Sequence, residues 1–111
     1  MNKRVLLLVA SLVILSGMLV GGNRDKKYHN PVINKSLPDP TIIRAKDGFF
    51  YLYATENTRN TPIYKSQNLI DWTFVGTAFT DETRPDFEPK GGLWAPDIEY
   101  IGGKYVLYYS M

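Results

Sequence analysis

The chain has 111 residues, 44% hydrophobic and 14% aromatic, which suits a folded protein and excludes a disordered one. It contains no cysteine, so neither a disulfide framework nor lipid attachment at a signal-proximal thiol is available. Its net charge is only +2, and Lys3 and Arg4 account for all of it, so the remainder of the chain offers no basic footprint for nucleic acid.

The first segment has the order of a secretory signal. Lys3 and Arg4 precede an apolar run from Val5 to Leu15, and small residues follow at Ser16-Gly17 and Gly21-Gly22. The expectation is a signal peptide over residues 1–22 with cleavage after Gly22, giving an exported protein, periplasmic or extracellular, with no stable membrane association once the signal is removed. The run is short for a membrane span, and retention as an N-terminal anchor is the alternative. Residues 23–35 are polar and without a clear period, and read as a tether. His29, the only histidine, lies there with no partner at ligand spacing, so no metal site is expected from it.

From residue 36 the pattern becomes regular. Thr41-Ile42-Ile43-Arg44 is a β-branched strand, Ala45-Lys46-Asp47-Gly48 is turn chemistry, and Phe49 to Ala54 is an aromatic strand; together they predict a hairpin. A polar loop, Glu56 to Thr61, leads to a third strand at Pro62–Ser66. Ser66 to Asp71 then turns the chain into a fourth strand at Trp72–Gly76. Four short antiparallel strands in about 40 residues match one blade of a β-propeller. Trp72, following a polar turn at the outer strand, reads as a packing residue. The acidic run from Asp81 to Glu88 is interrupted by Arg84 and lacks calcium-loop spacing, so it reads as a solvated loop between blades. A second unit then repeats the first: Asp97 to Ile101, the turn Gly102-Gly103, and the aromatic strand Lys104 to Ser110. The chain ends there without a closing strand, which reads as a truncated polypeptide carrying one and a half blades.

Three residues in two short motifs stand out. Asp39 lies between Pro38 and Pro40 just ahead of the first strand. Proline fixes its own φ and disfavours the helical region for the residue before it, so Asp39 is expected to be extended and rigid. A positioned carboxylate is what acid–base chemistry requires, whereas Pro-Asp-Pro taken alone is also an ordinary turn. Trp94 follows Lys90-Gly91-Gly92 and precedes Pro96, which suggests a loop end where an indole ring is available to stack on the apolar face of a sugar; packing between blades is the alternative. Asp97 closes Trp94-Ala95-Pro96-Asp97, either anchoring that motif's backbone or contacting substrate.

Leu37-Pro38-Asp39-Pro40-Thr41-Ile42-Ile43, Lys65-Ser66-Gln67-Asn68-Leu69-Ile70-Asp71-Trp72 and Gly92-Leu93-Trp94-Ala95-Pro96-Asp97-Ile98 occur in order and at blade spacing. With them, the chain from Asn30 to Met111 resembles the N-terminal part of glycoside hydrolase family 43, most closely its endo-1,5-α-L-arabinosidases. The resemblance implies an all-β, five-bladed propeller that cleaves arabinans, xylans or their side chains with inversion of configuration. It implies Asp39 as the general base, with Trp94 and Asp97 as substrate-binding candidates. A glutamic acid serving as general acid and an aspartate tuning it belong to later blades of the family, so this chain alone is expected to be inactive. The implied partner is a polysaccharide or oligosaccharide substrate, and no cofactor is identifiable. An arabinofuranosidase or β-xylosidase of the same family, or a non-catalytic carbohydrate-binding propeller, are the alternative readings.

Overall fold

The computed structural model describes residues 27–111; the expected signal over residues 1–22 lies outside them. Six strands form in chain order: β1 (Thr41–Arg44), β2 (Phe50–Tyr53), β3 (Pro62–Ser66), β4 (Thr73–Thr77), β5 (Trp94–Ile101) and β6 (Lys104–Ser110). The described residues contain no helix. β1 to β4 make a four-stranded antiparallel sheet in sequence order, and β5 and β6 pair as a separate hairpin. This is the blade and half-blade that the alternating strand and turn pattern predicts.

Turn chemistry sets the registers. Between β1 and β2, Gly48 takes φ +86° and the Asp47 carboxylate accepts the Phe49 N–H at 3.0 Å, closing a tight connection with Arg44 opposite Phe50. Between β5 and β6, Gly102 and Gly103 both have positive φ, +56° and +84°, the requirement of a two-residue turn whose twist matches the strands it joins. Ile101 therefore faces Lys104. The turn before β4 is held by side chains: Ser66 Oγ accepts the N–H groups of Asn68 and Leu69, and Asn68 Oδ1 accepts those of Ile70 and Asp71.

Because side chains alternate along a strand, each sheet presents two different faces. On one face of the blade, Leu52, Ala54 and Tyr64 form a buried cluster, against which Ile33, Leu37 and Trp72 pack. Trp72 is thus a packing residue, and its indole N–H also reaches the Leu69 carbonyl at 3.1 Å. Ile33 comes from the stretch read as a tether. A segment without regular periodicity can still dock single apolar side chains, and periodic pattern does not register that.

The opposite face meets the second unit, with β1 lying next to β5. Thr41 Oγ1 donates to Asp97 Oδ1 at 3.2 Å, the Lys46 N–H donates to the Tyr105 hydroxyl at 2.9 Å, and the rings of Phe79 and Tyr109 meet edge to face at 5.4 Å. The first strands of the two blades consequently begin side by side, and the site lies at that end.

Candidate functional site

Asp39 sits in the turn entering β1, and its backbone is not extended: φ is +48°. The expectation from Pro40 fails because tertiary hydrogen bonds outweigh a local steric preference. The Thr55 N–H donates to the Pro38 carbonyl at 2.9 Å, and the Thr55 hydroxyl donates to Asp39 Oδ2 at 2.7 Å. Aspartate is also among the residues that best tolerate the left-handed region. The carboxylate is exposed at the strand entrance, and Oδ1 receives no hydrogen bond from the described residues.

The second blade repeats this turn. Ala95, which also precedes a proline, has φ +44°, and its N–H donates to the same Thr55 hydroxyl at 2.7 Å. The β5–β6 ladder is irregular at this point, two residues of β5 being accommodated between Trp94, opposite Ser110, and Asp97, opposite Tyr108. Bulges of this kind re-aim side chains at the ends of strands. Here the bulge leaves Trp94 56% exposed at the mouth of the strand, a loop end rather than a buried mid-strand position. Gly92 supports it: a Cβ there would lie 2.6 Å from Trp94 Nε1, so the indole occupies space that any other residue would fill.

Asp97 is exposed, two residues past the turn, and its recorded hydrogen bond runs across to the Thr41 side chain of the first blade. Thr55 joins the turn that bears Asp39 to the turn that follows Trp94, through the Ala95 N–H, whereas Asp97 belongs to the seam between β1 and β5.

A largely buried ion pair escaped the sequence reading. Glu56 and Arg84 form a two-pronged pair at 2.6 and 2.7 Å with both side chains largely buried, 13% and 10% exposed. Glu56 Oε1 also accepts the Leu93 N–H at 3.0 Å, and the Glu56 N–H donates to the Leu93 carbonyl at 3.1 Å, so one residue grips fully buried Leu93 from both sides. Arg84 further donates to the Gly91 carbonyl at 3.0 Å and to Asn60 Oδ1 at 3.1 Å. The hydrogen bonds from Arg84, assisted by the Asn60 and Leu93 N–H groups, hold the Glu56 carboxyl at about 2 against the opposing effect of burial. The polar loop after β2 is therefore anchored in the interior at both ends, where Thr55, Asn60 and Thr61 are buried, while Asn57, Thr58 and Arg59 remain exposed. It anchors the glycine-rich approach to Trp94, and Arg84 draws the acidic loop inward. Residues 28 positions apart carry no periodic signal, and only opposite charge hinted at the pairing.

Together these features define a propeller segment that presents a carboxylate held by Thr55 at the entrance of β1 and an exposed indole at the start of β5, the two turns being joined through the Thr55 hydroxyl. Carboxylates carry the acid–base chemistry of glycoside hydrolysis, and an exposed aromatic ring offers a flat apolar face to a sugar. The family model "Glycosyl hydrolases family 43" matches residues 28–111, and the chain belongs to this family. Arabinan endo-1,5-alpha-L-arabinosidase A of Aspergillus niger is 36% identical over 109 residues, covering 96% of this chain and 32% of that protein. The non-reducing end alpha-L-arabinofuranosidase of Bacteroides ovatus is 32% identical over 104 residues, 85% of this chain and 19% of its own length. Among solved structures, the Cellvibrio cellulosa alpha-L-arabinanase complexed with arabinohexaose superposes with a TM-score of 0.57 at 32% identity, over 68% of this chain and 24% of that one. The fold is accordingly that of the five-bladed propellers of this family. The chain spans about a third of the length of the arabinosidase it matches.

Proposed function

We propose that residues 28–111 supply the general base and the sugar platform of an inverting glycosidase acting on arabinan in the manner of an endo-1,5-α-L-arabinosidase. The observation that carries this reading is Asp39: an exposed carboxylate at a strand entrance with one oxygen held by Thr55 and the other without a hydrogen bond from the described residues, its turn tied through Thr55 to the turn that follows exposed Trp94. Inversion requires a base on one face of the sugar to activate water and an acid on the other to protonate the leaving oxygen, with about 6.5–9.5 Å between the two carboxyl groups. Asp39 Oδ1 takes the proton from the attacking water, and the new bond to the anomeric carbon forms as the glycosidic bond breaks. Trp94 orients the ring by stacking on its C–H face. Asp97, tied to Thr41 in the seam between the blades, is the further candidate for a polar contact to substrate. The acid and its tuning aspartate come from the part of the family's length that these residues do not span.

An arabinofuranosidase activity, supported by the similarity to the Bacteroides ovatus enzyme, or a β-xylosidase activity, supported by 32% identity over 88 residues with the beta-xylosidase of Bacillus subtilis, is the second reading. We also infer that residues 1–22 direct export; N-terminal sequencing of the secreted product beginning at Asn23 would support this, and a retained Met1 would refute it.

The test is hydrolysis of debranched arabinan by a family-length chain that continues residues 28–111 through the remaining blades. Proton NMR of the first-formed product should show the inverted anomer, and residues 23–111 alone should give no turnover above blank. Release of single arabinose units from chain ends would move the assignment to the second reading. Retention of configuration would overturn the mechanism.

A further inference from the structure

The Thr55 hydroxyl stands between two turns that have no sequence relation to it, and it is buried, 8% exposed. A hydroxyl has one proton to give and lone pairs to receive. Here the proton goes to Asp39 Oδ2 at 2.7 Å and a lone pair receives the Ala95 N–H at 2.7 Å. Since the Ala95 amide can only donate, it fixes the direction of the hydroxyl, whose proton must point at the carboxylate. The Thr55 backbone N–H closes the same turn through the Pro38 carbonyl at 2.9 Å. Three hydrogen bonds from one residue thus bind the two left-handed, pre-proline turns to each other, one bearing the carboxylate and the other following the indole. Such conformations persist only where the surroundings over-determine them.

We infer that Thr55 is a positioning residue for hydrolysis: it holds Asp39 Oδ2 so that Oδ1 faces the attacking water, and it sets the distance between the base and the Trp94 platform. The inference rests on the reading of Asp39 as the base. A positioned group displaced by about 1 Å loses on the order of a hundredfold in rate, so the hydroxyl has a measurable role even though it touches no reacting atom.

The experiment compares Thr55→Val, which keeps the branched shape and loses the hydroxyl, with Thr55→Ser, which keeps the hydroxyl, in the family-length enzyme on debranched arabinan. Thr55→Val should lower kcat about 10- to 100-fold with KM changed less than about threefold, and Thr55→Ser should remain within about threefold of the parent. In an Asp39→Asn background the same Thr55→Val change should cost less than about threefold more, because its effect runs through the carboxylate. If Thr55→Val fails to fold, Thr55→Cys, which offers only a weak S–H donor, replaces it in the comparison with serine. A Thr55→Val enzyme with unchanged kcat, a loss carried wholly in KM, or a full additional loss beside Asp39→Asn overturns the inference. Near-parental turnover by Asp39→Asn instead overturns the assignment of the base, so the two failures are told apart.

Discussion

Removing the Arg84 guanidinium while keeping its length, as in Arg84→Met, should destabilise the family-length enzyme by about 3 kcal/mol near pH 6. Two considerations give the same figure. A carboxyl held at about 2 rather than its ordinary 4.5 corresponds to about 3 kcal/mol of preference for the charged, paired form. Breaking a buried ion pair at one partner typically costs about 3–5 kcal/mol, because the other charge is left without compensation; the Glu56 side chain, 13% exposed, is in that position. Glu56 titrates below its ordinary value in the folded chain, so its contribution is complete above about 4.5 and is lost as pH falls towards 2. The difference between parent and variant should therefore be largest at pH 6 and shrink between 4.5 and 2. Urea unfolding followed by far-ultraviolet circular dichroism at several pH values measures it, and amide exchange at Leu93, whose N–H ends on Glu56, should quicken in the variant. A difference under about 1 kcal/mol at pH 6, or one that does not shrink on acidification, would refute the reasoning, since neither a buried unpaired charge nor the depressed titration would then be present.

Asp39→Asn in the family-length enzyme should lower kcat by about 10² to 10⁴ while oligosaccharide binding stays within a few-fold, because the shape is kept and the proton acceptor is lost; retention of more than a tenth of parental kcat would return Asp39 to the status of a turn residue. Trp94→Ala should raise KM more than it lowers kcat, and equal losses in both would assign the indole to packing. Gly92→Ala places a methyl 2.6 Å from Trp94 Nε1 and should reproduce part of the Trp94→Ala effect on KM with little change in Tm; an unaltered KM would mean that the ring has other room. The chain studied alone exposes Ile42, Leu69 and Phe74, and should associate at micromolar concentration; a monodisperse monomer in sedimentation would contradict this.

Strand positions were legible because β-branched and aromatic runs alternate with glycine turns: β1, β3 and β6 have the bounds that pattern predicts, and β2 and β4 differ only at their ends. β5 begins three residues earlier than read, at Trp94, since Pro96 suggested a loop where a bulge accommodates it. The bracketing prolines drew attention to Asp39 but implied the wrong backbone conformation, because Thr55 overrides the local preference from 16 residues away. Glu56 to Thr61 looked polar and so exposed, which holds for Asn57 to Arg59, yet hydrogen bonds to Arg84, Leu93 and Asp81 let Glu56 and Asn60 turn inward. Those partners lie beyond the reach of any local pattern.

The paired turns at Asp39-Pro40 and Ala95-Pro96 separate location from chemistry. Both blades spend the same unusual backbone geometry at the same place, but only one fills it with an ionisable group. Copying a blade therefore copies a socket rather than a reagent, and a single codon decides whether that socket is armed or blank. The alanine socket, already oriented by the hydroxyl that orients its acidic twin, is where a new functional group could be introduced without redesigning the scaffold.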